Sequence, residues 1–128
     1  MDATRHIFVV DDDPSVLTAM ERLLRSCGFE VETFASGREF LDAVSPEMAG
    51  CAIIDVQMPG MTGLELQDKM TTSGYKLSVV FITAHPTDAD RRRALRGGAV
   101  QYLEKPVSAD VLLPTVQASD SGERRGPS

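Results

Sequence analysis

Carboxylates, a hydroxyl and an ammonium follow four separate apolar segments of the chain. In chain order these residues are Asp11, Asp12, Asp13, Asp55, Thr83 and Lys105. Three crowded carboxylates repel one another unless a cation lies among them. Mg²⁺ prefers carboxylate, carbonyl and water oxygens, and it often binds together with phosphate. The set therefore predicts metal-assisted phosphoryl transfer to a carboxylate, with Lys105 and Thr83 holding the peripheral phosphoryl oxygens.

A simpler role is available for any one of these aspartates, because aspartate before a helix is often only an N-cap. Asp13 fits that role well, since Pro14 follows it at the first position of a predicted helix. The same explanation does not suit the whole set, which occupies four strand ends with complementary chemistry. We therefore predict a shared site and separate Asp13 from it.

Alternating strand-like and helix-like segments must position these residues. The predicted strands are 6–10, 30–34, 51–55, 77–83 and 100–104. Three of them are nearly continuous apolar runs, typical of strands covered on both faces, whereas "EVETF" alternates and suits an edge. This order predicts an α/β, flavodoxin-like (βα)5 fold: a doubly wound, five-stranded parallel sheet with helices on both faces. In such sheets, ligands bind outside the carboxyl ends of the strands.

Two of the predicted helices begin with recognisable capping residues. Ser36 with Glu39, and Thr62 with Glu65, have the spacing of capping boxes. The fourth helix, roughly 87–96, has few apolar residues, so we expect it to be weakly held and able to move.

The last helix follows Ser108, and Pro114 inside it should kink or shorten it. The polar stretch from about Ala118 onward is typical of a linker. We therefore predict one domain at 1–118 and a linker or tail at 119–128.

Composition excludes some classes of function for this segment. The 128 residues fit one domain, and a net charge of −6 disfavours a nucleic-acid-binding surface. We see no apolar stretch of the ~18 residues that a membrane span needs, and no signal peptide. Cys27 and Cys51 lack metal-ligand spacing. We expect a cytoplasmic protein without a membrane partner.

Four motifs carry a resemblance to a known family: "VVDDDPSVL", "IIDVQMPGMTGLEL", "FITAH" and "YLEKP". In their order and spacing, the chain resembles the receiver domain of two-component response regulators over about residues 5–118. The ending "GGAVQYLEKP" is most similar to the FixJ-type branch.

The resemblance implies that Asp55 accepts a phosphoryl group from a histidine kinase. It implies a Mg²⁺ site formed by Asp11, Asp12, Asp55 and the backbone carbonyl of Gln57. A switch hydroxyl, a phosphate-contacting ammonium and a switch aromatic ring are expected at Thr83, Lys105 and Tyr102. Phosphorylation should draw Thr83 inward, let Tyr102 turn, and so change the face formed by the fourth helix and fifth strand.

The resemblance also implies partners and leaves alternatives open. We expect an N-terminal piece of a regulator that reaches DNA only through a C-terminal domain not present here; a stand-alone receiver is the alternative. Phosphorylation-dependent homodimerisation is open, since Pro114 puts the family's last-helix interface in doubt.

Two other classes of protein fit the sequence less well. A Mg²⁺-dependent aspartyl-phosphate phosphatase usually has an acid where Gln57 stands. A flavin or nucleotide binder would need a Gly-rich loop after the first strand. We therefore expect a phosphoacceptor regulator rather than an enzyme.

Overall fold

A computed structural model describes residues 6–125 of the chain, with side chains described for 6–118. Strands and helices alternate as β1 (His6–Val10), α1 (Pro14–Ser26), β2 (Glu30–Phe34), α2 (Gly37–Ala43), β3 (Cys51–Asp55), α3 (Gly63–Thr72), β4 (Ser78–Thr83), α4 (Asp88–Arg96), β5 (Gln101–Glu104) and α5 (Ala109–Arg125). The strands form one parallel sheet in the order β2-β1-β3-β4-β5. The predicted flavodoxin-like fold is confirmed, and β4 and β5 begin one residue later than predicted.

Two apolar clusters cover the two faces of the sheet. One joins β-strand residues to α1 and α5 through Met20, Leu24, Leu112 and Val116. The other joins them to the remaining three helices through Phe40, Leu64, Leu66, Met70 and Ala94. β3 is buried along its whole length, whereas β2 alternates and lies at an edge, as its sequence pattern predicts.

Local capping explains where the helices begin. The Asp13 carboxylate accepts hydrogen bonds from the backbone and the hydroxyl of Ser15, and so caps α1. The capping box predicted at Thr62 is complete. Only half of the capping box predicted at Ser36 is present: the Ser36 hydroxyl accepts from the Glu39 N–H. The other half is wrong, because the Glu39 carboxylate accepts from the N–H of residue 35 and not from that of Ser36.

The last helix is longer than its sequence predicts. α5 continues through Pro114, so the expectation that this proline shortens it is wrong. Leu112 and Val116 flank Pro114 and are fully buried, and their packing offsets the backbone hydrogen bond that proline removes.

The predicted tail at 119–128 also differs in part from the structure. The backbone of 119–125 is helical, where a linker was expected. These residues contain no proline, and the preceding buried turns already supply the costly nucleus of the helix. Residues 126–128 lie outside the described part of the chain. No helix between residues 6 and 125 combines the length and apolar character that crossing a membrane requires.

Candidate functional site

Four strand ends bring the predicted residues to one edge of the sheet. Asp11 follows β1, Asp55 ends β3, Thr83 ends β4 and Lys105 follows β5. Pairing of β3 with β4 and of β4 with β5 holds these ends level, and the Lys105 N–H donates to the Thr83 carbonyl at 2.8 Å. The expected convergence of these residues is present, and β2 contributes none of them.

The acidic residues form a compact cluster. One carboxylate oxygen from each of Asp11, Asp12 and Asp55 lies within 4.8 Å of the other two. Asp11 and Asp55 are buried, at 0% and 3% exposure, whereas Asp12 is exposed. The ammonium nitrogen of Lys105 lies 2.8 Å from Asp11 Oδ2 and 3.5 Å from Asp55 Oδ1. Among the described residues, the Lys105 ammonium therefore contacts two of the three carboxylates.

Asp11 is only partly satisfied by the protein. Its Oδ1 accepts a hydrogen bond from the Asp13 N–H at 2.9 Å. Its Oδ2 is buried and lies 2.8 Å from the Lys105 ammonium, and this ion pair is its one partner among the described residues. Each oxygen thus has one partner in the described part of the chain, and an ionised carboxylate oxygen has room for a second, such as a metal cation.

The electrostatics of the site follow from burial and crowding. Burial, and then the neighbouring Asp11 carboxylate, raises the pKa of Asp55 from 3.8 to about 6, although Lys105 opposes this shift. Burial alone would lower the pKa of Lys105, but its contacts with Asp11 and then Asp55 outweigh burial and raise that pKa. The Asp55 shift therefore reflects burial first and the Asp11 charge second, whereas the Lys105 shift reflects the two carboxylates beside it.

The cluster fits a hard divalent cation. It offers three carboxylate oxygens within 4.8 Å of one another, and in the described residues one ammonium, that of Lys105, contacts two of the three carboxylates. Mg²⁺ binds such oxygens and keeps several waters, which suits the exposed side occupied by Asp12. Gln57 lies two residues beyond Asp55 and is exposed. A ligand role for its backbone carbonyl remains a prediction.

Thr83 has a resting arrangement that the sequence did not reveal. Its hydroxyl is fully buried, donates to Gln57 Oε1 at 2.6 Å and accepts from the His85 N–H at 3.0 Å. The sequence predicted a metal-ligand role for the backbone carbonyl of Gln57 and no hydrogen bond to its side chain. The missed contact joins residues 26 positions apart, so no local pattern could have indicated it.

Tyr102 lies between the strand end and α4. Its ring is 4% exposed, and its hydroxyl accepts a hydrogen bond from the Thr87 N–H at 3.2 Å. The guanidinium of Arg91 lies 5.5 Å from the ring centroid. The ring is thus already buried in this structure and contacts Thr87, the N-cap of α4, while its role as a switch stays a prediction.

Gly63 explains how α3 approaches the site so closely. A Cβ atom at this position would lie 2.3 Å from the Asp55 carbonyl oxygen. The Gly63 N–H also donates to the Val56 carbonyl at 2.9 Å. Glycine therefore lets the first turn of α3 support the backbone that carries Asp55.

Comparisons with known proteins agree with this geometry. Residues 7–117 match the family model described as "Response regulator receiver domain". Nodulation protein W of Bradyrhizobium diazoefficiens is 37% identical over 119 residues, covering 93% of this chain and 52% of that protein. The chain thus spans about half the length of the curated relatives it matches.

Solved structures give the same result. A low-resolution structure of the response regulator StyR has 43% identity and a TM-score of 0.86, covering 96% of this chain and 63% of that one. The crystal structure of FixJ-N has 27% identity and a TM-score of 0.84, covering 94% and 96% of the two chains.

Proposed function

The chain belongs to the response regulator receiver domain family, in its FixJ-type branch, and on this premise we propose that Asp55 accepts a phosphoryl group and that the change is passed to α4. The observation that carries the proposal is the buried Asp55 carboxylate, grouped with Asp11 and Asp12 and 3.5 Å from the Lys105 ammonium. This grouping has the parts that phosphoryl transfer requires.

Asp55 acts as the nucleophile in the proposed reaction. One of its carboxylate oxygens forms a bond to phosphorus while the bond between phosphorus and the donor nitrogen of a kinase histidine breaks. The product is an acyl phosphate, and the histidine nitrogen keeps the bonding electron pair. Bound Mg²⁺, held by Asp11, Asp12, Asp55 and the Gln57 carbonyl, would supply positive charge to the phosphoryl oxygens. The contact of Lys105 with Asp55 supports a contact between its ammonium and a phosphoryl oxygen.

The proposed response begins at Thr83. Phosphorylation adds negative charge and acceptor oxygens at Asp55. The Thr83 hydroxyl would then exchange its hydrogen bond with Gln57 Oε1 for one with the phosphoryl group. Movement at the end of β4 would reach Tyr102, and through its contact with Thr87 the start of α4. The face formed by α4 and β5 is therefore the proposed output surface.

The upstream and downstream partners follow from the family. A histidine kinase is the proposed phosphoryl donor, in the cytoplasm. Relatives include proteins described as transcriptional regulatory proteins, such as TdiR of Thauera aromatica, and the chain covers 50% of that protein. We propose that this receiver controls transcription through a DNA-binding domain outside the present sequence. Gln57 occupies the position at which an aspartyl-phosphate phosphatase usually carries a second acid, so we favour a signalling role over an enzymatic one.

Intact-mass measurement of the phosphorylated protein tests the proposal. The chain is incubated with Mg²⁺ and acetyl phosphate, and one added phosphoryl group is expected. Asp55→Asn should abolish the adduct because the nucleophile is gone, and a chelator should suppress it. The exposed Asp42→Asn is the matched control and should retain the adduct. An adduct that persists in Asp55→Asn, or turnover of phosphate esters without any stable adduct, would refute the proposal.

A further inference from the structure

Helix α4 has almost no apolar attachment to the rest of the domain. Of its nine residues, all of them described, Ala94 is buried, while Leu95 remains 43% exposed. Hydrophobic burial increases with the apolar area removed from water, and one alanine supplies little. Polar contacts must therefore determine where this helix lies.

The buried polar contact comes from α3. Gln67 is 3% exposed, and its side-chain amide donates to the Ala94 carbonyl at 3.0 Å. The same carbonyl accepts from the Ala99 N–H at 3.1 Å. Carbonyls in the last turn of a helix lack partners within the helix, so Gln67 caps the end of α4 from a neighbouring helix.

Gly97 makes room for this cap. A Cβ atom there would lie 2.7 to 2.9 Å from the Oε1, Cδ and Nε2 atoms of the Gln67 amide. The backbone of Gly97 has φ −78°, which any residue adopts. The absence of a side chain at this position therefore serves the amide rather than the backbone.

Other contacts that hold α4 are more accessible to water, and they include the cation–π contact of Arg91 with Tyr102. Arg93 donates to Asp68 at 2.8 Å, with side chains 46% and 64% exposed. At the other end of α4, the Thr87 N–H donates to the Tyr102 hydroxyl. Exposed ion pairs contribute little, so the buried Gln67 amide is the stronger of the two contacts between α3 and α4.

We propose that Gln67 is a polar clamp that holds α4 in its resting place, and that the strength of this clamp sets how often α4 leaves it. A hydrogen bond has a preferred geometry and is lost over a short movement, which gives the helix two distinct positions. An apolar side chain at residue 67 would not specify the end of α4 in this way. Gln67 is thus a positioning residue, remote from the phosphoryl chemistry.

Hydrogen exchange of the unphosphorylated chain tests the clamp. The readouts are the N–H groups of residues 97, 98 and 99, which bond to carbonyls of the last turn of α4. Gly97→Ala should displace the Gln67 amide and speed their exchange about fivefold, the factor that corresponds to one net hydrogen bond. Exchange of the β3 amides should not change.

A double-mutant cycle separates the clamp from ordinary packing. Gln67→Ala should speed the same three amides, and adding Gly97→Ala to it should cause no further increase, because the new Cβ then has space. An equal effect of Gly97→Ala in both backgrounds would overturn the proposal. Acceleration of β3 together with α4 would also overturn it, since that is the signature of a general loss of packing.

This experiment does not depend on the proposed phosphorylation. It uses no phosphoryl donor and no metal, so a chain that fails to be phosphorylated at Asp55 can still show the clamp. Conversely, the wild-type chain could form a normal phosphoryl adduct while neither Gly97→Ala nor Gln67→Ala changes the exchange of residues 97–99. That result would leave the proposed function standing and refute the clamp.

Discussion

The carboxyl edge of the sheet and helix α4 are neighbours built on different principles. Asp55 extends from β3, whose residues are all buried, and the first turn of α3 supports it through Gly63. Helix α4 has one buried alanine and is otherwise attached by hydrogen bonds and a cation–π contact. One region is fixed by close packing, and the other by a few separable polar contacts.

This difference separates two requirements of a switch. Phosphoryl transfer needs groups held in a fixed arrangement, which a close-packed strand end provides. A response needs an element with a second position at a small cost in free energy. Thr83 and Tyr102 lie on adjacent strands between the two regions, and in the proposed switch they would connect them.

Removing side chains from each region gives the largest contrast. Phe81 in β4 is fully buried, so Phe81→Ala should lower the free energy of unfolding by about 3–5 kcal/mol. Leu95→Ala in α4 should lower it by less than about 0.5 kcal/mol, because Leu95 is largely exposed. Urea unfolding measures both effects. Ile54→Val is a milder core variant, and it should lower the free energy of unfolding by about 0.5–1.5 kcal/mol. If Leu95→Ala lowers the free energy of unfolding as much as the core variants do, α4 is held by apolar packing and the contrast between the two regions is wrong.

The charge of Asp55 should give an intermediate effect that depends on pH. Burial raises its folded pKa to about 6, above the ordinary 3.8. The resulting stability is complete below 3.8 and is lost as the pH rises through 6. Without Mg²⁺, Asp55→Asn should therefore stabilise the chain by ~1–3 kcal/mol at pH 7.5 and hardly at pH 4.

Urea unfolding at the two pH values, with a chelator present, measures this difference. Asp42→Asn is the control for a solvated aspartate, and Mg²⁺ should narrow the gap at pH 7.5 by binding the wild-type carboxylate. If Asp55→Asn and the wild type differ by the same free energy of unfolding at both pH values, ionisation of Asp55 does not destabilise the folded chain.

The smallest effect is expected at the exposed ion pair beside the clamp. Asp68→Asn should lower the free energy of unfolding by less than about 0.5 kcal/mol, and the difference should shrink further at high salt. Hydrogen exchange at residues 97–99 gives the sharper comparison. If Asp68→Asn speeds exchange as much as Gly97→Ala does, the surface pair rather than the buried amide holds α4.

The sequence predicts much of this molecule because its main signals are local. Apolar runs locate the strands to within one residue, and caps such as Asp13 and Thr62 locate the starts of helices. The end of the domain was harder to predict. Polar composition after residue 117 suggested a linker, whereas the buried turns before it allow the backbone to continue as a helix.

The contacts that distinguish the resting state could not be predicted in this way. Gln67 meets Ala94 across 27 positions, and Thr83 meets Gln57 across 26. A glutamine in a helix usually indicates a solvated face, and only the placement of α4 shows that this one is buried. Residue types and strand ends therefore predicted which side chains converge at this edge, whereas the contacts of α4 required the structure.

The strand order has a consequence for where such a site can arise at all. The chain goes from β1 to the outer strand β2, then returns past β1 to β3, so the connections on either side of this point leave in opposite directions. The loops after β1 and β3 must separate, and a crevice opens between them whatever side chains they carry. The location of the acidic cluster is thus a property of the connectivity. The side chains on these loops set its chemistry, so other residues there could give this edge a different ligand without rebuilding the sheet.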